Sequence, residues 1–341
     1  MRFSTVFPGV QSARTAGVVG LGLMGTSITA CLLASGHRVC AVEAALYKRK
    51  TARRRVFRLL GEMRREGLLR TTPERVLKEL SISGQYAGLA GCEIVIESIT
   101  ESVRAKKRVI ENIEQVVSPN ALIGSNTSGI PVTMLQRGAR HAERILGIHW
   151  AEPAHITRFM EIICGKETDP AKAAAVMGLA RRWGKEPSLL RRDIRGFVTN
   201  RIFYAMLREA FYLVEAGYAT PADVDRSLRN DLGYWITFAG PFRMMDLMGL
   251  AAFETVMRDL FPVLNCAKRV PRLMAKLVQS GARGIANEHG FYRYTSTQAK
   301  RWERLFLKFS YEIRALAQNY PEDVGDRATG RSSKRQSRGA A

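Results

Sequence analysis

The chain has 341 residues, 46% of them hydrophobic, so it can bury a sizeable core and is long enough for two domains. Its 53 Lys and Arg outnumber 31 Asp and Glu, and the net charge of +22 favours anionic ligands such as phosphates. The five cysteines are scattered without a CxxC pair, which argues against a disulfide framework or a zinc site.

No stretch approaches the roughly 18 uninterrupted apolar residues that a membrane-spanning helix needs. We therefore expect a soluble, cytoplasmic protein without a membrane span. Residues 1–14 are basic and contain no acid, and we expect a disordered leader there. Residues 319–341 are rich in Arg, Lys, Ser and Gly, which predicts a disordered basic tail.

Short apolar runs alternate with longer amphipathic ones over residues 15–194, as in a parallel sheet covered by helices. This pattern predicts an α/β Rossmann-type doubly wound sheet. The predicted strands are 17–20, 38–43, 94–97, 122–125, 145–149 and 160–164. The predicted helices between them include 24–34, 102–117 and 170–183.

Strand signals nearly vanish after residue 195, which predicts an all-α C-terminal domain over residues 195–318. Its predicted helices are 197–216, 221–228, 241–260 and 269–279. In the first domain, residues 47–80 read as a hairpin of two basic helices, where a minimal nucleotide-binding fold needs only a short connection. Much of the excess positive charge is concentrated in this hairpin.

A GxGxxG motif follows the first predicted strand and opens the first predicted helix, the context that a dinucleotide-binding turn requires. Gly20 permits the tight turn, Gly22 lets the backbone approach a pyrophosphate, and Gly25 allows the helix to pack closely on the strand. With Leu23 and Met24, these glycines are the predicted phosphate-side contacts, because a helix N-terminus binds anions.

Glu43 ends the second predicted strand, where a carboxylate accepts hydrogen bonds from the adenosine ribose hydroxyls. A carboxylate also repels a 2′-phosphate, so NAD is the predicted cofactor. The alternative is that Lys48 or Arg49 binds the 2′-phosphate of NADP.

Polar residues follow the later strands in a characteristic order: Glu101 and Lys106, then Ser128 in an SNTS motif, then His149 and Glu161. A Gly-Phe-Val-Thr-Asn motif that ends in Asn200 follows at the domain junction. Together with Gly-Pro-Phe at 240–242 and Gly-Phe-Tyr at 290–292, this series resembles the L-3-hydroxyacyl-CoA dehydrogenase family over residues 16–295.

The resemblance implies the roles of these residues. It makes His149 the catalytic base, Glu161 its orienting acid, and Ser128 and Asn200 the residues that hold the substrate oxygen. It makes Glu101 and Lys106 contacts on the nicotinamide side of the cofactor, and it implies a homodimer formed through the helical domain.

The chemistry of the residue types agrees with these roles. A neutral histidine can take the alcohol proton while a hydride leaves the carbon for the nicotinamide, and a carboxylate fixes its tautomer. No metal is required. Read singly, His149 could be a packed strand-end residue, Ser128 a helix cap and Glu161 a salt-bridged acid.

The chain departs from the family after His149, where it reads Trp150-Ala151-Glu152-Pro153 instead of Phe-Phe-Asn-Pro. Glu152 therefore stands where the family has a cofactor-contacting asparagine. The basic hairpin matches the family's CoA-binding hairpin, with Arg58 and Arg65 on the matching stretch, although a solvated helix face is equally compatible.

Three functions follow from these observations. The leading one is NAD-dependent oxidation of a (3S)-3-hydroxyacyl-CoA to the 3-oxoacyl-CoA. The second is oxidation of a free 3-hydroxy acid of the gulonate or carnitine type. The third is a non-catalytic basic binding protein, although the basic stretch lacks the interleaved aromatics of a nucleic-acid stacking surface, so nucleic acid is not an expected partner.

Overall fold

Eight strands form one sheet in the computed structural model, which describes residues 15–320. The expected leader and residues 321–341 of the expected tail lie outside the described residues. The chain divides into two units, with the boundary between Ala205 and Met206. The strands are β1 Thr15–Val19, β2 Arg38–Val42, β3 Leu80–Ser83, β4 Ile94–Glu97, β5 Leu122–Ser125, β6 Ile145–Trp150, β7 Phe159–Cys164 and β8 Glu186–Leu190.

The helices of the first unit lie between these strands, and the helices from α7 onward follow the sheet. They are α1 Leu23–Ala34, α2 Leu46–Arg65, α3 Pro73–Leu77, α4 Val103–Glu114, α5 Val132–Gln136, α6 Pro170–Arg182, α7 Thr199–Glu215, α8 Pro221–Asn230, α9 Leu232–Ile236, α10 Pro241–Met248, α11 Leu250–Leu260, α12 Arg272–Gln279 and α13 Ser296–Ala317. The predicted fold class, a Rossmann-type sheet followed by a helical region, is confirmed.

The strand order is β3-β2-β1-β4-β5-β6-β7-β8, and every neighbouring pair is parallel except β6 and β7. The sheet is therefore parallel, as the sequence pattern predicts, except at this pair. Only residues 151–158 connect the two strands, and this segment is too short for the helical crossover that parallel strands need. The chain returns antiparallel, which places Glu161 inside β7 rather than at a carboxyl end.

Burial explains which strands the sequence predicts well. Strands β1, β4 and β6 are almost wholly buried because helices cover both faces of the sheet, and they read as continuous apolar runs. The two strands at the sheet edges, β3 and β8, carry polar residues and are partly exposed, so they were not predicted.

The hairpin helix α2 shows why much of the positive charge is compatible with a folded core. One face of α2 is buried in the hydrophobic core of the first unit. This face is formed by apolar residues at helical spacing, which are Ala52, Val56, Leu60 and Met63. The arginines occupy the remaining faces. The second predicted helix of the hairpin is the short α3.

The second unit differs from its prediction in three places, one of which is the short helix α9, which was not predicted. The predicted helix 241–260 is two helices, α10 and α11, because Gly249 adopts a φ of 100° that a helix cannot contain. Helix α13, near the end of the described chain, was not predicted. Among residues 15–320, no helix combines the length and apolar composition that a membrane crossing needs.

Candidate active site

The GxGxxG turn has the geometry that a dinucleotide requires. Gly20 has a φ of 93°, and a Cβ added to Gly25 would lie 1.8 Å from the Gly20 carbonyl oxygen. A Cβ at Gly22 would meet no atom within 4 Å, so the backbone there is open to a ligand. Leu23 and Met24 form the first turn of α1, whose N-terminus faces the same turn. The backbone therefore fits the pyrophosphate of NAD.

Glu43 lies directly after β2 and is 7% exposed. Its Oε2 accepts a hydrogen bond from the Leu21 N–H at 2.8 Å, and its Oε1 accepts one from the Ala45 N–H at 2.9 Å. The carboxylate is thus fixed between the glycine turn and the start of α2. This is the position from which a carboxylate binds the adenosine ribose.

His149 and Glu161 form a buried hydrogen-bonded pair. The Nδ1 of His149 lies 2.9 Å from the Oε2 of Glu161, and the two side chains are 10% and 1% exposed. The rings of Phe159 and Phe197 pack against the imidazole, with centroid distances of 5.4 and 5.7 Å. An imidazole that donates from Nδ1 to a carboxylate keeps Nε2 free to accept a proton.

The second oxygen of Glu161 is held by the N-terminus of α7. Glu161 Oε1 accepts hydrogen bonds from the backbone N–H groups of Val198 and Thr199, at 3.2 and 3.0 Å, and from Thr199 Oγ1 at 3.3 Å. Burial alone would raise the pKa of Glu161, but the hydrogen bonds from His149 and from these backbone groups lower it below the usual value. Glu161 is therefore ionised beside the imidazole.

Ser128 and Asn200 lie next to each other. Asn200 Nδ2 donates to the Ser128 carbonyl oxygen at 2.7 Å. Because Asn200 follows Thr199, the first turn of α7 contacts both Glu161 and the backbone of Ser128. Glu101 Oε1 accepts hydrogen bonds from Thr127 Oγ1 at 2.5 Å and from the Ser128 N–H at 3.0 Å.

Lys106 is fully buried and ion-paired with Glu97, which is also fully buried. Lys106 Nζ donates to Glu97 Oε1 at 2.8 Å and lies 3.5 Å from Glu101 Oε2. Ser125 Oγ donates to Glu97 Oε2 at 2.6 Å. Lys106 thus supports Glu101 from inside the protein, and its ammonium group is not exposed to a ligand.

Two of the residues that replace the family's Phe-Phe-Asn-Pro sequence, Trp150 and Glu152, differ in burial. Trp150 is 2% exposed and stacks on Trp183 at a centroid distance of 5.4 Å, so its side chain belongs to the core. Successive residues of a strand point to opposite faces, so this side chain points away from that of His149. Glu152 lies in the loop after β6, and the residue as a whole is exposed. Its carboxyl group is nevertheless partly shielded from water, which raises the pKa of that group.

The arginines of the hairpin have different surroundings. Arg58 and Arg65 are exposed, and Arg58 pairs with Glu62 at 3.7 Å. Arg53 Nη1 instead donates to the Leu80 carbonyl oxygen at 3.0 Å, which ties α2 to β3. Some of the positive charge therefore stabilises the hairpin.

The sequence missed the roles of Glu97, Val198 and Thr199. Glu97 is an acid at the end of an otherwise apolar buried strand, which could have marked it as a paired group. The contribution of Val198 and Thr199 comes from backbone N–H groups, which no residue type reveals.

The chain matches the family described as 3-hydroxyacyl-CoA dehydrogenase, NAD binding domain, over residues 15–194, and the C-terminal domain of the same family over residues 196–294. It is 31% identical over 300 residues to 5-formyl-3-hydroxy-2-methylpyridine 4-carboxylate 5-dehydrogenase of Mesorhizobium japonicum, covering 84% of this chain and 93% of that protein. It is also 31% identical to a probable 3-hydroxybutyryl-CoA dehydrogenase of Deinococcus radiodurans, covering 82% of this chain and 99% of that one.

Two solved structures extend the similarity. The crystal structure of 5-formyl-3-hydroxy-2-methylpyridine 4-carboxylic acid 5-dehydrogenase, an NAD⁺-dependent dismutase, has a TM-score of 0.84 at 29% identity and covers 91% of this chain and 100% of that one. The (S)-3-hydroxybutyryl-CoA dehydrogenase of Ralstonia eutropha has a TM-score of 0.69 at 29% identity and covers 83% of this chain and 100% of that one.

Proposed function

Because this chain belongs to the 3-hydroxyacyl-CoA dehydrogenase family of NAD-dependent oxidoreductases, we propose that it oxidises a (3S)-3-hydroxyacyl-CoA to the 3-oxoacyl-CoA, reversibly. The observation that carries this proposal is the buried hydrogen bond between His149 Nδ1 and Glu161 Oε2. NAD, held at Gly20, Gly22, Gly25 and Glu43, supplies a hydride acceptor when it is bound.

His149 is the proposed general base. It removes the hydroxyl proton through Nε2, because Nδ1 donates to Glu161. The ionised Glu161 stabilises the imidazolium that forms and keeps the ring in one orientation. In the reverse direction, the same imidazolium returns the proton to the carbonyl oxygen of the substrate.

Ser128 and Asn200 are the proposed substrate-oxygen contacts. The hydrogen bond from Asn200 Nδ2 to the Ser128 carbonyl oxygen keeps the two residues adjacent, and the Ser128 side chain is exposed. Hydrogen-bond donors at such a position stabilise charge that develops on the oxygen. Glu101 and Lys106 are proposed to serve the cofactor side, with Lys106 acting through its ion pair with Glu101.

CoA is the proposed carrier of the acyl group because exposed cations lie on α2. Arg58 and Arg65 are exposed on this helix, where they can form charge-assisted hydrogen bonds to phosphates. The resemblance to the family's CoA-binding hairpin over residues 47–80 supports this proposal.

Initial rates of NADH oxidation with acetoacetyl-CoA test the proposal. His149→Ala should lower kcat by a factor of about 100 or more, as loss of a general base does. His141→Ala is the matched control, because His141 is a partly exposed histidine outside the proposed site, with a side chain that is 41% accessible. Activity of His149→Ala equal to that of the control would exclude the proposed base.

A free carboxylic acid is the second candidate substrate. The relative from Mesorhizobium japonicum is named for a pyridine carboxylate, and the dismutase structure covers more of this chain than the hydroxybutyryl-CoA enzyme does. A panel of CoA thioesters, free 3-hydroxy acids and hydroxymethylpyridine carboxylates, each assayed with NAD, separates the two candidates. Turnover of the free acids with no turnover of any thioester would replace the first proposal with the second.

We also propose that the protein is a homodimer formed through its second unit. In helices α8–α12 no residue is buried, and large apolar side chains are exposed on them, including Phe242 at 79% and Met248 at 66%. Exposed apolar side chains on several helices favour an interface with another protein, and a second copy would cover them symmetrically. A molar mass near 38 kDa by light scattering would contradict the dimer, whose expected mass is about twice the chain's 38.1 kDa.

A further inference from the structure

One arginine of the hairpin reaches the dinucleotide turn. Arg55, on α2, donates from Nη2 to the Leu21 carbonyl oxygen at 2.8 Å, across 34 residues of sequence. Leu21 lies between the first two glycines of the GxGxxG motif and is fully buried. The contact therefore joins the basic hairpin to the turn that binds the pyrophosphate.

This contact completes a pair of opposite charges around one residue. The Leu21 N–H donates to Glu43 Oε2, and the Leu21 carbonyl oxygen accepts from Arg55. In a trans peptide the carbonyl oxygen of one residue and the N–H of the next point in opposite directions. By holding the Leu21 carbonyl, Arg55 fixes the direction of the Gly22 N–H, which belongs to the open part of the turn.

Arg55 has no direct ion-pair partner among residues 15–320, although the carboxylate of Glu43 is hydrogen-bonded to the same residue, Leu21. Within the same described residues, the Nε of Arg55 is buried without a hydrogen-bond partner. A cation at this position adds to the positive end of the α1 dipole. The fixed direction of the Gly22 N–H and the positive charge of Arg55 both favour binding of a doubly charged pyrophosphate at the turn.

We propose that Arg55 is a cofactor-positioning residue, which orients the Leu21–Gly22 peptide so that the Gly22 N–H is presented to the pyrophosphate of NAD and adds a positive charge on the opposite side of that peptide. The hairpin then serves the cofactor as well as the proposed acyl-CoA. This role does not depend on which acid the enzyme oxidises.

The dissociation constant of NADH, measured by fluorescence titration, tests the proposal without turnover. Arg55→Ala should raise it about tenfold, because a Gly22 N–H that is no longer held in one direction weakens its charged hydrogen bond to the pyrophosphate. Arg54→Ala removes the same charge from the adjacent position of α2, where the side chain is exposed and has no ion pair or hydrogen bond among the described residues. It should change the constant less than about twofold.

Conservative variants separate positioning from folding. Arg55→Lys keeps the charge and should restore part of the affinity, whereas Arg55→Gln keeps a donor without the charge and should restore less. The melting temperature of each free variant and the increase that NADH causes are measured together. Equal NADH affinity in Arg55→Ala and Arg54→Ala, or a lower melting temperature of Arg55→Ala with unchanged affinity, would overturn the proposal.

Discussion

His149 and Glu161 are direct cross-strand partners in the antiparallel pair of β6 and β7, and their side chains meet at 2.9 Å. Side chains directly opposite each other on neighbouring strands leave from the same face of the sheet. The dyad is therefore held by two strands inside a sheet, and its geometry does not depend on a loop.

Replacing Glu161 by Gln should reduce kcat while changing KM little. The neutral amide cannot stabilise the imidazolium and can leave His149 in the wrong tautomer, for which a loss of about 100-fold to 10,000-fold is expected. Steady-state kinetics over a range of pH measure both constants. Glu111→Gln, at an exposed position of α4, is the control. If the two variants have equal kcat, Glu161 does not orient the base.

Removing one partner of the buried Glu97–Lys106 pair should destabilise the fold strongly. Both side chains are fully buried, so Lys106→Met leaves an uncompensated carboxylate, at an expected cost of about 3–5 kcal/mol in the free energy of unfolding. Urea unfolding of the variant measures this cost. The exposed pair of Arg38 and Glu79 provides the control, because Glu79→Gln should cost less than about 1 kcal/mol. Similar costs at both pairs would contradict this account.

His155 should make stability depend on pH in the mildly acidic range. Burial, together with the positive charges of Lys185 and Arg58, lowers its pKa from 6.5 to about 4. Ser27 Oγ lies 2.7 Å from its Nδ1, and Glu62 Oε2 lies 3.9 Å from its Nε2. Between these two pKa values the unfolded chain binds the additional proton.

The histidine's contribution to stability is therefore complete above about pH 6.5 and falls as the pH drops toward about 4, by about 3 kcal/mol at most. Urea unfolding at several pH values measures this dependence. In His155→Gln the decrease should be smaller than in the wild type, while His141→Gln, a partly exposed control, should retain most of the decrease. An unchanged pH dependence in His155→Gln would refute the assignment.

Glu152 and Trp150, which both depart from the family sequence, should affect different properties: Glu152 the affinity for NADH, and Trp150 the stability of the fold. Glu152→Asn should tighten NADH binding at neutral pH about threefold, because it removes a carboxylate from the proposed cofactor contact. Since burial raises the pKa of Glu152, wild-type affinity should weaken as the pH rises and the carboxyl ionises. The variant should lack this dependence.

Trp150→Phe is the matched comparison for Glu152→Asn, because its side chain packs on Trp183 in the core. We expect NADH affinity within about twofold of the wild type and a loss of unfolding free energy below about 1.5 kcal/mol. An effect on NADH affinity as large as that of Glu152→Asn would show that the core packing at Trp150 also governs the site.

Local sequence patterns were sufficient to predict the buried strands and the dinucleotide-binding turn. β4 and β5 were predicted at their observed bounds, because continuous apolar runs mark strands covered on both faces. Edge strands β3 and β8 were missed because exposure permits polar residues there. Helices α10 and α11 were predicted as one, since a single Gly249 within an apolar periodicity does not reveal its positive φ.

By itself, the sequence determined the fold class, the NAD-binding motif and the family, because these depend on residue types at fixed spacings along the chain. Only the tertiary structure decided that β7 runs antiparallel to β6, that α7 donates its first N–H groups to Glu161, and that Arg55 contacts Leu21. These contacts join backbone and side-chain groups far apart in the sequence. Their geometry exists only once the sheet and helices have packed, so no local pattern encodes it.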